Sequence, residues 1–318
     1  MARLTLALSA GVAVLSGPAA AQLPHYHIVK RIVVDSGGAD YLSIDTLRRR
    51  LYGLTYKVID IDRDSVVGEL PPHTGYGFAL AVDLGKGLGR RGVLFDLNSL
   101  APITRLSIRG DGSVYDALTH RAFLLSDTTT VVDMELGRVL GTTVLGTGGT
   151  EWSIESGVSD NAGHIFINAN VFPDTSGNSN PEIVVLNSVT LAVERHWPLQ
   201  ACKTPLGIAM DRLTRRLFVG CSKAIAVVDA NDGANITSVP VPGHADQLAF
   251  DPQFRVILAP NGHGTMSVVR ETNPNTYAVI DSVPTAEGGN ALVLDERTHR
   301  VYLYKKDPKA MRLVVLAP

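Results

Sequence analysis

The sequence LVLDERTHRVYL, from Leu292 to Leu303, determines the fold more clearly than any other part of the chain. An apolar run ends at Asp295, a polar turn follows, and a second alternating run begins at Arg300. Two short apolar runs joined by a tight polar turn are typical of a β-hairpin. The stretch therefore predicts a pair of short antiparallel strands.

The same hairpin pattern recurs along the chain. Further copies are IAMDRLTRRLFV (Ile208–Val219), LSIDTLRRRLYGL (Leu42–Leu54) and SVYDALTHRAFLL (Ser113–Leu125). The aspartates that end the successive first strands are Asp45, Asp83, Asp116, Asp160, Asp211, Asp251 and Asp295. Their mean spacing of about 42 residues is the length of one four-stranded blade of a β-propeller.

Each unit also contains a second apolar phrase, such as Val131-Val132-Asp133, with another turn and another alternating run after it. Four short strands per unit and seven units predict an all-β, seven-bladed β-propeller of four-stranded antiparallel blades. The seventh unit ends at Pro318 after three strands, whereas His27–Val34 resembles a fourth strand. We therefore expect the N-terminal strand to join the last blade and close the ring, which removes exposed sheet edges.

Two units depart from the pattern. The second, Gly77–Ile108, is short, and we expect GKGLGRRG (Gly85–Gly92) to replace most of a hairpin with long turns. The fourth contains FPDTSGNSNP (Phe172–Pro181), which predicts a loop between its second and third strands. That loop is interpreted either as a tolerated surface insertion or as a binding loop.

Residues 1–21 have the layout of a secretory signal peptide. Arg3 precedes an apolar stretch from Leu4 to Leu15, and Ala19-Ala20-Ala21 supplies small residues before an expected cleavage site at Gln22. An apolar core of about 12 residues is too short for a membrane anchor, which needs about 20. We therefore expect a periplasmic or secreted protein in which residues 22–318 form a single propeller domain, monomeric and without a membrane span after cleavage.

The charge balance is mildly acidic. The chain has 29 basic and 31 acidic residues, and its formal net charge is −2. This balance provides no general electrostatic attraction for nucleic acid or anionic lipid, although it is compatible with a local basic patch.

Cys202 and Cys221 are the only cysteines. An even count in an exported chain favours a disulfide. Cys202 lies just before one strand of a predicted hairpin and Cys221 ends the other, so the two are expected to be neighbours. Free thiols and a metal site are the alternatives, but two ligands without an adjacent histidine or cysteine make a poor zinc site. The disulfide would close a loop of about 18 residues and stabilise the fold by about 3 kcal/mol.

The Asp-x-x-Thr-His-Arg-x-Tyr-Leu turn of Asp295–Leu303 and the Val-Val-Asp third strands resemble those of YVTN-type β-propeller repeat proteins, including the bacterial periplasmic YncE-like group. The likeness covers essentially the whole chain after residue 21 and is clearest from Cys202 to Leu303. It implies a secreted seven-bladed propeller. Single-stranded DNA binding is reported in at least one relative.

Candidate binding residues precede the first strand of each blade. Because these strands line the central channel of a propeller, the residues that precede them converge at one channel mouth. The candidates are Asp40, Tyr41, Tyr76, Asp111, Glu151, Trp152, Lys203, His244, Asp246 and Asn290. Carboxylates around a narrow axis offer oxygen ligands for Ca²⁺ or Mg²⁺, whereas solvated rim residues are the alternative interpretation.

No catalytic or cofactor motif of comparable strength is present. The sequence lacks a Gly-x-Ser-x-Gly elbow, a His-x-x-x-His pair and a Cys-x-x-Cys motif. His120 and His299 recur at the same turn position, which favours a structural role. We therefore assign no catalytic residue and no required cofactor, and expect a non-enzymatic scaffold for an unknown protein or small-molecule ligand.

Two alternative functions stay open. The first is a metal-dependent, lactonase-like hydrolase whose channel-mouth metal is held by Glu151, Asp246 and Asn290. The second is single-stranded DNA binding, for which Tyr41, Tyr76 and Trp152 are candidate stacking residues, although the acidic neighbours Asp40, Asp111 and Glu151 oppose it.

Overall fold

The computed structural model describes residues 23–34, 41–54, 56–75, 77–146, 151–172, 180–200, 202–305 and 311–318. These residues form seven four-stranded antiparallel sheets, which confirms the predicted seven-bladed all-β propeller. The predicted signal peptide lies outside the described residues. Among the residues that are described, no helix is long and apolar enough to cross a membrane.

Each sheet is one blade, and the blades are numbered from the first complete sheet in the chain. Blade 1 consists of β2 (Ser43–Asp45), β3 (Arg50–Leu54), β4 (Lys57–Asp60) and β5 (Ser65–Glu69). Blade 2 consists of β6 (Phe78–Ala81), β7 (Lys86–Gly89), β8 (Val93–Asp96) and β9 (Pro102–Arg105). Blade 3 consists of β10 (Gly112–Asp116), β11 (Arg121–Leu125), β12 (Thr128–Asp133) and β13 (Arg138–Val144). Blade 4 consists of β14 (Glu151–Ser159), β15 (His164–Phe172), β16 (Asn180–Asn187) and β17 (Val193–Pro198).

The remaining blades follow the same order. Blade 5 consists of β18 (Ile208–Asp211), β19 (Arg216–Cys221), β20 (Ala224–Asp229) and β21 (Asn235–Pro240). Blade 6 consists of β22 (Ala249–Asp251), β23 (Val256–Pro260), β24 (His263–Asn273) and β25 (Thr276–Glu287). Blade 7 consists of β26 (Ala291–Asp295), β27 (Arg300–Lys305), β28 (Met311–Ala317) and β1 (His27–Val34).

The N-terminal strand closes the ring. In blade 7 the strand order is β1-β28-β27-β26, and β1 pairs antiparallel with β28, with Arg31 opposite Val314. This pairing confirms the predicted closure, and it joins the two ends of the described chain in one sheet.

The core lies between neighbouring blades. Inner strands such as β19 are buried along their whole length, whereas outer strands such as β5 and β9 are largely exposed. Between blades 5 and 6 the rings of Phe218 and Phe250 are 5.2 Å apart. Because both faces of each inner strand pack against a neighbouring blade, these strands are almost continuously apolar.

Blade 2 is complete, so the prediction that Gly85–Gly92 replaces most of a hairpin is wrong. Strand β7 occupies Lys86–Gly89 and pairs with both β6 and β8. A side chain on Gly87 would lie 2.4 Å from the Phe95 ring, and one on Gly89 would lie 2.3 Å from the Thr74 carbonyl oxygen. Because glycine has no side chain, these neighbouring groups can approach the strand closely. This close packing offsets the weak strand propensity of glycine.

The predicted disulfide and the predicted insertion in blade 4 both have the expected places. Cys202 and Cys221 are bonded, and both are buried. The insertion falls between β15 and β16, the second and third strands, while residues 173–179 lie outside the described residues.

The aspartates at the ends of the first strands cap the following turns. Asp45 Oδ1 accepts hydrogen bonds from the amides of Leu47 and Arg48 at 3.0 and 2.9 Å. In three blades a threonine three positions later also donates its hydroxyl to the aspartate: Thr119 to Asp116 at 2.6 Å, Thr214 to Asp211 at 2.7 Å and Thr298 to Asp295 at 2.5 Å. The Asp-x-x-Thr pattern of the repeat is therefore a turn cap.

The same aspartates join neighbouring blades. The residue just before the second strand has a positive φ in several blades, including Arg49 at 56°, Arg215 at 57° and His299 at 56°. Arg49 donates to both carboxylate oxygens of Asp295 at 2.8 and 2.7 Å, Arg215 to Asp160 at 2.8 Å, and His299 Nδ1 lies 2.7 Å from Asp251. Each partner belongs to the preceding blade.

His120 Nδ1 lies 3.1 Å from Asp83 in the same arrangement. These contacts give His120 and His299 the structural role expected from their repetition.

We predict that Asp295→Asn destabilises the protein strongly and in a pH-dependent way. Burial alone raises the pKa of Asp295, but hydrogen bonds from Arg49 and Thr298 outweigh it and hold the pKa below its usual value. A depressed folded-state pKa adds stability above the unfolded pKa, and this stability is lost as the pH falls through the folded value. Urea unfolding should show a loss of about 3–5 kcal/mol at pH 7, which shrinks below about pH 4.

Asp62→Asn is the matched control, because Asp62 also pairs with Arg49 but its side chain is 54% exposed, against 0% for Asp295. An exposed pair contributes at most about 1 kcal/mol. Equal losses for the two variants would contradict the role assigned to the buried carboxylate.

We also predict that replacing both cysteines by alanine lowers the free energy of unfolding by about 3 kcal/mol, because the disulfide restricts the unfolded chain. Urea unfolding with and without reductant measures this loss. Reductant should destabilise the parent protein and leave the double variant unchanged, and a parent protein insensitive to reductant would contradict the prediction.

Candidate binding site at the channel mouth

The two faces of the ring differ in their connections. In each antiparallel blade the first strand starts at the face that also holds the second-to-third turns and the connections between blades. We call this the channel-mouth face. The turns between the first and second strands, which hold the aspartate caps, lie on the opposite face.

A cavity of about 120 Å³ lies where the first strands begin. Side chains that line it include Tyr41, Glu155, Asp246 and Gln247, and the backbones of Gly77 and Gly207 also border it. These residues come from connections and first strands of several blades, so the cavity is the mouth of the central channel.

Tyr41 spans this mouth. It precedes β2 of blade 1, and its phenol donates a hydrogen bond to the backbone oxygen of Glu155 in blade 4 at 3.1 Å. The phenol oxygen is also 3.5 Å from Glu155 Oε2. Because blades 1 and 4 are three places apart in a seven-membered ring, this contact crosses the channel.

Gln247 makes a second long-range bridge. Its side-chain amide donates to the Leu42 carbonyl oxygen at 2.8 Å and accepts from the Leu42 amide at 2.9 Å. The Gln247 side chain therefore makes the two hydrogen bonds that the backbone of a neighbouring strand would make. It links the start of blade 6 directly to the start of blade 1, although blade 7 lies between them in the ring.

Asp246 and Asn290 are neighbours at the same mouth. The Asn290 side-chain amide donates to Asp246 Oδ2, and the Asn290 carbonyl accepts from the Asp246 amide at 3.0 Å. His244 Nε2 lies 3.9 Å from Asp246 Oδ1. The structure thus brings His244, Asp246 and Asn290 together and places Tyr41 on the same cavity.

The other predicted site residues lie elsewhere or are not described. Lys203 is exposed beside the disulfide, in a surface depression with Ser222 and Lys223. Asp111 is exposed in a cleft with Arg90, Arg91 and Arg109. Glu151 and Trp152 begin β14, but their side chains are outside the description, as are Asp40 and Tyr76 entirely.

The repeat pattern does not mark four further residues at or near the mouth: Glu155, Ser156, Asn168 and Gln247. Ser156 and Asn168 both donate to the Leu206 carbonyl oxygen, Ser156 at 2.5 Å. A signal existed for Asn168, which is a buried polar residue inside the apolar strand HIFINANVF. A signal also existed for Gln247, because Asp246-Gln247-Leu248 occupies the same place in its unit as Asp40-Tyr41-Leu42.

Few side chains in the described part of the chain are placed to act as metal ligands. There, no group of three or more histidine, cysteine, aspartate or glutamate side chains is arranged to hold a metal ion. Asp246 and Asn290 would supply two oxygen ligands, but each is already bonded to the other. Binding of Ca²⁺ or Mg²⁺ at the channel mouth stays a prediction.

Comparison with protein-family models and with curated proteins finds no match. Solved structures do match. A chain of the mitotic checkpoint complex aligns with a TM-score of 0.70 at 13% identity, over 99% of this chain and 99% of that one.

The WD40 domain of Pan2 from Neurospora crassa aligns with a TM-score of 0.70 at 14% identity, over 92% of this chain and 94% of that one. The β-propeller domain of Cps50 (Swd1) from Myceliophteria thermophila aligns with a TM-score of 0.67 at 12% identity, over 92% and 100%. At such low identity the likeness shows the propeller fold alone.

We predict that Gln247→Glu weakens the channel mouth. A carboxylate keeps an acceptor for the Leu42 amide but places an oxygen against the Leu42 carbonyl, where Gln247 Nε2 now donates. Loss of one partly buried hydrogen bond costs about 1–3 kcal/mol. Urea unfolding at pH 7 should show this loss, whereas Gln200→Glu, at an exposed side chain, should change stability by less than about 0.5 kcal/mol. Equal effects of the two variants would show that the bridge contributes nothing.

Proposed function

We propose that this chain is an exported, non-enzymatic β-propeller of the YVTN type, similar to the YncE-like group, which binds a protein or small-molecule partner on its channel-mouth face. The repeated Asp-x-x-Thr turn supports the family. The predicted signal peptide at residues 1–21 supports export to the periplasm or the exterior, as does the Cys202–Cys221 disulfide, since disulfides persist in oxidising compartments.

The observation that carries the proposal is the way in which side chains close the channel mouth. Tyr41 is bonded across the ring to Glu155, and Gln247 is bonded to both backbone groups of Leu42. Together with the bonded pair Asp246–Asn290, they leave a cavity of only about 120 Å³. Ligand pockets for small molecules have volumes of about 300–1,000 Å³. This difference in volume favours recognition on the rim over recognition inside the channel.

The rim offers varied side chains on a rigid support. The connections between blades differ in length and sequence, and they place exposed residues such as His244 beside the mouth and Lys203 further out on the same face. Loops positioned by a rigid scaffold are where binding residues concentrate. The turns of the opposite face, in contrast, repeat the same capping pattern in most blades.

The lactonase-like alternative requires that Asp246 and Asn290 turn toward a metal ion. Their mutual hydrogen bond fixes both side chains, and in the described residues no group of three or more histidine, cysteine, aspartate or glutamate side chains is arranged to hold a metal ion. These contacts favour the scaffold over the hydrolase.

The test is site-specific photo-cross-linking in the producing cell. A benzoylphenylalanine introduced at His244 or Lys203 should form covalent adducts with a partner. The same group at Leu47 or Leu213 should form none, although these opposite-face side chains are 70% and 87% exposed. Mass spectrometry of the adducts identifies the partner, and N-terminal sequencing of the mature protein should give Gln22.

Three results would contradict the proposal. Equal amounts of adduct from both faces would contradict the assignment of the binding face. A mature protein that keeps residues 1–21 would contradict the proposed cleavage and export. Hydrolysis of a lactone by the purified protein, dependent on added Ca²⁺, would establish the metal-dependent enzyme instead.

A further inference from the structure

Four arginines line a cleft between blades 2 and 3 on the channel-mouth face. We call Arg90, Arg91, Arg105 and Arg109 the arginine cleft. It has two adjoining lobes, of about 340 and about 510 Å³. The smaller lobe is lined by Arg90, Arg91 and Arg109, and the larger by Arg91, Arg105 and Arg109, so Arg91 and Arg109 border both.

The cleft is strongly basic in a mildly acidic protein. Among the described residues that line the two lobes, Asp111 is the one acidic residue, so the formal charge of this described lining is +3 (four arginines and one aspartate). The whole chain has a formal net charge of −2. A concave surface with one sign of charge concentrates ions of the opposite sign.

The backbone holds the arginines close together. The Arg91 amide donates to the Thr74 carbonyl at 3.4 Å, and the Gly110 amide donates to the Arg90 carbonyl at 3.1 Å. These bonds join the second-to-third turn of blade 2 to the connections on either side of that blade. Three segments distant in sequence therefore meet at the cleft.

Gly75 and Gly92 permit this close approach. Gly75 has φ +86°, and a Cβ there would lie 3.0 Å from Arg90 Cγ and 3.2 Å from Arg91 Cγ. Gly92 has φ +81°, and a Cβ there would lie 2.2 Å from the Leu106 carbonyl oxygen. The aliphatic part of each of the two arginines packs on glycine backbone, which restricts their side chains before any ligand arrives.

We propose that the arginine cleft binds a small anion with two linked tetrahedral oxyanion groups, of which inorganic diphosphate is the simplest. Guanidinium groups form paired, charge-assisted hydrogen bonds with phosphate oxygens. Arg91 and Arg109 border both lobes, so an anion at the boundary between the lobes would place its two oxyanion groups within reach of both guanidinium groups. Single-stranded nucleic acid fits less well, because it is held by aromatic stacking and the described lining of both lobes contains no aromatic side chain.

The test is calorimetric titration of the mature, disulfide-bonded protein with sodium diphosphate at low ionic strength. The parent protein should bind one diphosphate per chain, more tightly than orthophosphate. Arg91→Gln combined with Arg109→Gln should weaken binding at least about tenfold, which is about 1.4 kcal/mol. The matched control combines Arg138→Gln with Arg195→Gln, two exposed arginines elsewhere, and removes the same charge.

Asp111→Asn provides an independent readout that does not depend on removing an arginine. Loss of its negative charge should raise the affinity for diphosphate about two- to fivefold, and thermal unfolding should confirm that every variant is folded. Binding that falls equally in the cleft and control variants would overturn the proposal. Absence of diphosphate binding, or binding of a single-stranded oligonucleotide alone, would overturn it as well.

Discussion

The fold depends on one interaction, made by the carboxylate that ends each first strand and that is buried in six of the seven blades. Asp295 accepts a hydrogen bond from Thr298 in its own turn and two from Arg49 of the next blade around the ring. One side chain therefore fixes the local turn and also the contact between blades. Burial removes the charge of the Asp295 carboxylate from water, which costs free energy. Only the hydrogen bonds from Thr298 and Arg49 offset this cost, so the charged aspartate is stable in the ring only together with its partners.

The first-strand aspartate still receives hydrogen bonds in blades where the residue equivalent to Arg49 is replaced. Blade 2 has Gly85 at the position of Arg49, and Arg48 of blade 1 instead donates to Asp45 of its own turn at 3.0 Å. Blade 4 lacks an equivalent side chain as well, and Ser159 donates to Asp116 at 2.6 Å. Because several side chains satisfy the same carboxylate, the repeat pattern varies while the blades keep their places.

The features of the fold that depend on local pattern or repetition are predictable from the sequence. The hairpins, the seven blades, the closing strand His27–Val34 and the Cys202–Cys221 bond all follow from residues close in the repeat. The strand at Lys86–Gly89 was missed because its two glycines have weak strand propensity, and the ring of Phe95 fills the space above Gly87. The Tyr41–Glu155 and Gln247–Leu42 contacts join residues 114 and 205 positions apart, so only the closed ring brings them together.

The division between the two faces follows from the same carboxylates. On the opposite face the turn after the first strand follows a buried aspartate in every blade except blade 2, so its sequence is restricted by capping and by the next blade. The connections on the channel-mouth face have no such requirement, and they differ from blade to blade in this chain.

Blade 2 illustrates the consequence. Its turn at Arg90–Gly92 lies against the Gly75 backbone, and Arg90 and Arg91 of that turn line the arginine cleft together with Arg105 and Arg109. The blade with the shortest interval between first-strand aspartates, 33 residues from Asp83 to Asp116, thus supplies the basic surface of this face.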